Sequence, residues 1–255
     1  YLLTLVLKHA TKSYTKPLPV IYRMKERIEH INRFYSLMSE LESFEKKRNL
    51  QNSTGKISWP EQGIYYFFEK TENRENGNPK IVRIGTHAVS KGSKTKYWER
   101  LRQHKGTKKG TGNHRGSVFR KLIGKSLINK YNLTTEFSEW GKNKVDKVHK
   151  QSEEKLELQV SEIIGEMEFL SLTVPGESSK NNMRAYIETN SIALLSNRNK
   201  SVKIDLPSKK WLGNHSKHNH VLESGLWNSD DTEKNYDPKF LDELEILIKN
   251  QKNNR

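Results

Sequence analysis

The stretch Gly63-Ile64-Tyr65-Tyr66-Phe67-Phe68 decides the fold. It is rich in aromatic and β-branched residues, so it predicts a strand that begins at Gly63. A second apolar run over residues 80–85 predicts another strand, and it contains Arg83-Ile84-Gly85. The polar residues 72–79 between them include asparagines, a glycine and a proline, which are typical of a connecting loop. The sequence therefore predicts a β-hairpin in the first half of the chain.

A basic helix is predicted directly after the hairpin. Trp98 and Leu101 are spaced to lie on an inner face, and Arg100 and His104 are four residues apart on another face. A second helix is predicted around Glu188, because Ile192 and Leu195 follow it at helical spacing. Both helices thus carry residues of types that occur in catalytic sites, namely Arg and His in the first and Glu in the second.

Apolar periodicity predicts further elements on both sides of this region. They are a long amphipathic helix over residues 18–49, a helix over 153–165, a strand over 169–174 and a C-terminal helix over 238–248. Asp237 is expected to cap the last helix, with Pro238 at its first position. The exposed face of the first helix is charged, which favours a packing arm or a dimer element.

The charge of the chain points to a polyanionic partner. The formal net charge is +16, and between Lys91 and Lys125 the only acidic residue is Glu99. Lys and Arg neutralise phosphates and release counterions, so nucleic acid is the usual partner of such a cluster. The residues predicted to contact DNA are Lys94, Lys96, Arg102, Lys105, Lys108, Lys109, Asn113, His114, Arg115 and Arg120.

Several of these residues fall in a glycine-rich basic loop, residues 105–117, that leads into a helix at Val118. Its backbone N–H groups could hold a phosphate at the helix N-terminus. It lacks the Gly-x-x-x-x-Gly-Lys-Ser/Thr pattern of a P-loop. A solvated surface loop and a DNA-contact loop are equally compatible with this stretch.

Taken together, the ordered set of motifs resembles the GIY-YIG nuclease family. Tyr65 lies in the first strand, Arg83-Ile84-Gly85 in the second, Arg100 and His104 in the basic helix and Glu188 in the late helix. A three-letter GIY alone would be a weak signal, but this order is much less expected by chance. The resemblance covers roughly residues 60–200.

The resemblance implies an endonuclease that hydrolyses phosphodiester bonds with one Mg²⁺ or Mn²⁺ ion per active site. Glu188 is the implied metal-binding carboxylate. One protein carboxylate suffices because Mg²⁺ is usually coordinated by one or two carboxylates, substrate phosphate and several waters. Tyr65 is the implied general base, Arg100 the clamp for the phosphate oxygens, and His104 a partner of the nucleophile or of Tyr65. Asn197 is the expected late asparagine that orients the site, and Asn199 is an alternative for that role.

One position departs from the family pattern. The second motif should begin with Tyr, and here Arg83 stands in its place. Arginine is permanently protonated in proteins and cannot serve as a base, although it can offset phosphate charge. The departure leaves open a degenerate site that binds nucleic acid without cutting it.

The fold class implied is α+β, with a small antiparallel or mixed sheet flanked by helices. We expect an N-terminal helical extension over residues 1–55, a catalytic domain with a basic DNA-binding insertion over 56–200, and a C-terminal extension over 201–255 that packs on it. The leading expectation is a sequence-specific endonuclease for double-stranded DNA, of the restriction or anti-phage type. The alternatives are a binding protein with a decayed site and a structure-specific repair or recombination nuclease. Cutting both strands would need sequential nicking or a homodimer, with the first helix as a candidate interface.

The remaining features concern metals, membranes and location. His215, His218 and His220 lie in a polar loop without carboxylate or Cys partners in the sequence pattern, so surface residues or DNA contacts are favoured over a zinc site. The chain has no cysteine, which removes disulfides and thiolate ligands. The apolar residues 2–7 are too short to span a bilayer and lack a basic leader, so a cytoplasmic protein without membrane attachment is expected.

Overall fold

The computed structural model describes residues 20–179 and 181–255, and the apolar stretch 2–7 lies outside them. Its centre is a four-stranded sheet in the order β1-β4-β2-β3, in which every neighbouring pair is antiparallel. The strands are β1 (Arg48–Asn49), β2 (Gly63–Asn73), β3 (Pro79–Thr86) and β4 (Glu168–Thr173). The predicted α+β class and the predicted hairpin are confirmed.

The side chains of β2 alternate between the two faces of the sheet, as the twofold period of a strand requires. Tyr65 and Phe67 belong to one buried cluster, and Ile64, Tyr66 and Phe68 belong to another. Both faces are covered at residues 64–68, which explains why this part of the strand is apolar throughout rather than alternating with polar residues, whereas residues 69–73 at its end are polar.

Helices cover both faces of the sheet. The face of Tyr66 is covered by α1 (Val20–Phe44), α6 (Met183–Leu195) and α8 (Phe240–Asn253), and the face of Tyr65 by α2 (Tyr97–Lys105), α3 (Val118–Tyr131) and α5 (Glu154–Glu166). Two short helices, α4 (Lys147–Ser152) and α7 (Asn219–Ser224), and 3₁₀ turns at His114–Gly116 and Leu212–His215 complete the described elements.

The first helix is shorter than the periodicity predicted. It ends at Phe44 instead of continuing to residue 49, because Arg48 and Asn49 pair with β4 as strand β1. Its apolar stripe, including the fully buried Phe34, packs within the core against α8. This apolar stripe is therefore used inside the chain.

The C-terminal helix also begins later than predicted. It starts at Phe240, and Asp237 accepts a hydrogen bond from the backbone N–H of Lys239 at 3.1 Å in the turn that precedes the helix. Pro238 thus lies in this turn and not at the first helical position. No helix of the described residues is long and apolar enough to cross a membrane.

A segment of the tail closes the outer edge of β3. The backbone N–H of Trp227 donates to the carbonyl of Val82 at 2.7 Å. The side-chain amide of Asn228 both accepts from the N–H of Ile84, at 3.2 Å, and donates to its carbonyl, at 2.8 Å. Trp211 and Trp227 are buried against each other, as expected of aromatic residues that fill a core.

Candidate active site

The two motif glycines are needed because other groups approach their backbones closely. Gly85 is paired with Tyr65 in the hairpin, and a β-carbon built on it would lie 2.3 Å from the Tyr65 ring. A β-carbon on Gly63 would lie 2.4 Å from the carbonyl oxygen of Leu172 in β4. Only a residue without a side chain permits these contacts. Gly85 leaves the space that the phenol ring of Tyr65 occupies over β3, and Gly63 allows β4 to approach the start of β2.

The hydroxyl of Tyr65 is bonded to His104 of α2. The two atoms, Tyr65 Oη and His104 Nε2, are 2.9 Å apart, and His104 Nδ1 lies 2.8 Å from the hydroxyl of Ser117. The buried stripe of α2 consists of Tyr97, Leu101 and His104, so His104 does not share a separate face with Arg100 as the spacing suggested.

His104 is a neutral imidazole near pH 7. Burial, followed by the charges of Arg100, Arg83 and Arg120, holds its pKa well below the ordinary value. It makes no contact with solvent, so a hydrogen bond to Tyr65 is its available role in the chain as it stands.

Arg83 turns its guanidinium into the protein and not toward solvent. It is 7% exposed, stacks on the ring of Phe119 at 4.6 Å and donates to the carbonyl oxygen of Trp227. Among the described residues its Nε has no hydrogen-bond partner. Burial lowers the pKa of Arg83, and the charges of Tyr65 and Glu188 act on it in the opposite direction. Arg83 therefore places a buried positive charge near Tyr65 and Glu188.

Thr86 links Tyr65 to Glu188. The backbone N–H of Thr86 donates to Glu188 Oε1 at 3.0 Å, and its carbonyl oxygen lies 3.4 Å from Tyr65 Oη. Glu188 projects from α6 and is half-buried. The pKa of Glu188 is raised to about 7, chiefly by burial, with Arg83 opposing the shift and Asp231 adding to it. The last residue of β3 thus joins the base candidate to the carboxylate.

Arg100 is half-buried at the edge of this group. Its Nη1 donates to the carbonyl of Gly116 at 3.2 Å and to the side chain of Gln103 at 2.9 Å. These two acceptors are neutral, so the charge of Arg100 stays available for an anion.

Asn197 lies away from this group. Its side-chain amide accepts from the N–H of Ile204 and donates to the carbonyl of Ile204, both at 2.9 Å, which organises the turn after α6. Asn199 is an exposed residue with φ of 55°. By contrast, Asn228 braces Ile84, between Arg83 and Gly85. It comes 40 positions after Glu188 in the printed sequence, and no local pattern marks it.

A buried ion-pair network stands where the sequence suggested part of a DNA surface. Arg120 is fully buried and donates from Nε to Glu157 at 2.8 Å and from Nη1 to the carbonyl of His104 at 2.9 Å. His114 Nε2 accepts from the N–H of Gly141, so Nδ1 is the nitrogen that donates to Glu157, at 2.9 Å. The His114 ring also stacks on Trp140 at 3.8 Å. Burial works against ionisation of Glu157, yet these hydrogen bonds and the charge of Arg120 hold its pKa below the ordinary value.

Three more of the predicted DNA contacts have internal partners. Arg115 forms a two-pronged ion pair with Glu153, at 2.7 and 3.0 Å. Lys105 Nζ donates to the carbonyls of Gln51 and Ser53. Asn113 caps the 3₁₀ turn by accepting from the N–H of Arg115. Arg120, His114, Arg115 and, in part, Lys105 thus hold the glycine-rich loop to the body of the protein.

Other basic residues of the predicted surface are exposed, with no ion-pair partner among the described residues. They are Lys94, Lys96, Arg102, Lys108 and Lys109. Arg102, Lys108 and Lys109 line a cleft of about 1210 Å³ between α2, the glycine-rich loop and α5. His215 and His218 are exposed, and His220 contacts Thr232 and Glu233. In the described part of the chain, no group of three His, Cys, Asp or Glu residues is placed to hold a metal.

The tyrosine of β2, its histidine partner, two arginines and one half-buried carboxylate thus form one group, which is the candidate active site. A family model described as a GIY-YIG domain matches residues 25–254, nearly the whole of the described chain. The chain belongs to the GIY-YIG nuclease superfamily. No curated protein and no solved structure matches it. The matched range includes α8 and most of α1, which pack on the sheet, and so extends beyond the region that the motifs alone marked.

Proposed function

We propose that this nuclease is a divalent-metal-dependent endonuclease of double-stranded DNA, with a role in restriction or anti-phage defence. The observation that carries the proposal is the link Tyr65–Thr86–Glu188, in which one residue bonds to a phenol on one side and a carboxylate on the other. By family resemblance, the products carry 5′-phosphate and 3′-hydroxyl ends.

The residues of the site fit a single hard cation. Glu188 Oε1 is held by Thr86, and among the described residues Oε2 has no protein donor. A lone carboxylate suits Mg²⁺ or Mn²⁺, which take the rest of their ligands from phosphate and water, and it does not suit zinc. When bound, the ion offsets negative charge on the leaving 3′ oxygen. The raised pKa of Glu188, about 7, means that proton and cation compete for the same oxygen near neutral pH.

The chain's own residues divide the remaining work. Tyr65 takes the proton of the attacking water, and Arg100 holds the non-bridging phosphate oxygens as they gain charge. Arg83 contributes its fixed positive charge from within the protein. Because the acceptors of Arg100 are neutral backbone and amide oxygens, a phosphate exchanges for them at little cost.

Tyr65 has no exposed surface in the DNA-free chain, whereas Arg100 and Glu188 are half-buried. Substrate therefore meets Arg100 and Glu188 first, and the phenolic oxygen becomes accessible through a small rearrangement at the mouth of the site. Catalytic hydrogen bonds often reach their working geometry only in the substrate complex.

The exposed basic residues near α2 supply the binding surface in this proposal. Lys94, Lys96, Arg102, Lys108 and Lys109 belong to the same basic region as Arg100. Contacts of this kind position a duplex through its phosphates and carry no sequence information by themselves. Recognition of a sequence then falls to side chains that reach base edges.

The same burial supports a second candidate. A phenol without exposed surface and an arginine in place of the second tyrosine are compatible with a protein that binds nucleic acid and does not cut it. In this alternative, the basic surface binds nucleic acid and the site does not hydrolyse it.

The test is cleavage of supercoiled plasmid and phage DNA with Mg²⁺, Mn²⁺ or EDTA, by wild type, Tyr65→Phe and Glu188→Ala. Metal-dependent fragments that vanish in both variants support the endonuclease. Thr71→Val is a matched control, because it removes the exposed hydroxyl of a β2 residue. Salt-sensitive binding without cleavage by any protein under any metal would contradict the proposal and favour the binding-only alternative.

A further inference from the structure

His104 lies between two hydroxyl groups, and each of its ring nitrogens has one partner. Nε2 faces Tyr65 Oη at 2.9 Å, and Nδ1 faces Ser117 Oγ at 2.8 Å. A neutral imidazole has one donor and one acceptor nitrogen, so two tautomers are compatible with these distances. In one, His104 donates to Tyr65, and in the other it accepts from Tyr65.

The hydrogen bonds of Ser117 distinguish the two tautomers. Ser117 caps α3, and its oxygen accepts from the N–H of Arg120 at 3.2 Å. Among the described residues, the only acceptor within reach of the Ser117 proton is His104 Nδ1. If Nδ1 carried a proton, the hydroxyl proton of a residue that is 1% exposed would have no acceptor. Such an unsatisfied group costs about 1–3 kcal/mol, so the Nε2–H tautomer is favoured.

We propose that Ser117 is a positioning residue that holds His104 as the Nε2–H tautomer, so that His104 donates a hydrogen bond to Tyr65. The role for Tyr65 rests on the proposed function. A hydrogen bond donated to the phenolic oxygen favours the phenolate, the form that accepts a proton from water. The opposite tautomer would accept from the Tyr65 hydroxyl and stabilise the neutral phenol.

The geometry on the other side of Tyr65 agrees with this direction. With His104 as donor, the phenolic proton points to the carbonyl of Thr86, 3.4 Å away. Thr86 is also the residue whose N–H holds Glu188. Ser117 thus sets the direction of the hydrogen bonds that run from the cap of α3 through His104 and Tyr65 to the carbonyl of Thr86.

The direct test is nitrogen NMR of the full chain with labelled histidine, because the nitrogen shift separates protonated from unprotonated ring nitrogens. The protein has nine histidines, and the signals lost in His104→Gln identify those of His104. We expect wild type and Ser117→Thr, which keeps the hydroxyl, to show protonated Nε2 and unprotonated Nδ1. Protonated Nδ1 in the wild type would overturn the proposal whatever the activity.

The kinetic test compares single-turnover cleavage from pH 6 to 9 by wild type, Ser117→Ala and Ser117→Thr. Ser117→Ala is expected to shift the profile upward by about one pH unit, so that cleavage falls roughly tenfold where the wild-type rate rises with pH and less where that rate has levelled off. Ser117→Thr is expected to restore the wild-type profile. An equal loss at every pH, including those at which the wild-type rate has levelled off, or no rescue by Ser117→Thr, would indicate a structural role only and would overturn the positioning role.

Two controls separate the possible failures. Asp146→Ala removes the hydrogen bond that caps α4, at an exposed place, and reproduces the loss of a cap without touching His104. It is expected to leave the pH profile unchanged. If the wild type shows the Nε2–H tautomer but no DNA is cut, the tautomer assignment stands and the endonuclease proposal fails.

Discussion

The phenol ring of Tyr65 lies directly against the α-carbon of Gly85, its partner across the hairpin. The position of the Tyr65 ring, the base candidate, therefore depends on the absence of a side chain at Gly85 in the second motif. This relationship gives a physical reason for two motif positions that a sequence pattern only juxtaposes.

Gly85→Ala is expected to displace the Tyr65 ring, since the new methyl group would lie 2.3 Å from it. We expect a loss of about 1–3 kcal/mol in unfolding free energy from overpacking, and a loss of cleavage on the order of 100-fold from misplacement of the base. Urea unfolding and single-turnover cleavage measure the two effects. Gly116→Ala is the control, because no heavy atom lies within 4 Å of its added β-carbon. Wild-type cleavage by Gly85→Ala would contradict the steric argument.

Glu188→Gln is expected to make the protein more stable and inactive. The folded-state pKa of Glu188, about 7, is above its ordinary value of 4.5, so ionisation costs the folded state stability as pH rises from 4.5 through 7. Glutamine avoids this cost and keeps the acceptor for Thr86. In EDTA we expect a gain of roughly 2 kcal/mol at pH 8 and almost none at pH 4.5. A Glu188→Gln variant that is less stable than the wild type at pH 8 would argue against a raised pKa of Glu188 in the folded protein.

Arg83→Lys and Arg83→Met separate charge from shape. Lysine keeps the charge but loses the planar group that stacks on Phe119, and methionine loses both the charge and the bond to Trp227. If the charge assists cleavage, Arg83→Lys retains on the order of tenfold more activity than Arg83→Met at similar stability. Equal activities would indicate that Arg83 serves packing alone.

The exposed pair Lys108 and Lys109 is expected to contact phosphates. Replacing both with alanine should reduce the slope of log K against log salt by about 2, since each contact contributes ~0.9. Fluorescence anisotropy with a labelled duplex measures this slope. Lys209→Ala with Lys210→Ala removes the same charge from another exposed pair. An identical change in slope for both pairs would show that only net charge matters.

Arg120→Met is expected to act on stability and not through a lost DNA contact. It leaves the carboxylate of Glu157 buried without its arginine, which costs roughly 3–5 kcal/mol. Adding Glu157→Gln should recover part of that loss, which thermal or urea unfolding would detect. If Arg120→Met had wild-type stability and bound DNA more weakly, the result would indicate instead that Arg120 contacts DNA.

The sequence reveals the hairpin and most helices because they rest on local periodicity. It does not separate Lys108 from Arg120, since a basic residue looks the same whether it faces water or a glutamate 37 positions away. The same limit hides Asn228 and the two-residue strand β1, whose partners are distant in the chain. Helical spacing predicts His104 on the same face of α2 as Arg100, whereas it lies on the buried face with Tyr97 and Leu101. The sequence does not show whether a histidine is buried and neutral or exposed to solvent.

The way the tail lies along β3 restricts how this protein can associate with a second copy. Trp227 and Asn228 occupy hydrogen-bonding groups of Val82 and Ile84. On the opposite border, β1 pairs only with Glu168 and Phe169 of β4, and beyond β1 the side chain of Gln251 hydrogen-bonds to the backbone of Ser171 and Thr173. In the described part of the chain, neither border therefore offers a long free row of backbone groups on which another strand could be added. A dimer that cuts both strands would therefore be assembled through helices and loops, and its two sheets would stay separate.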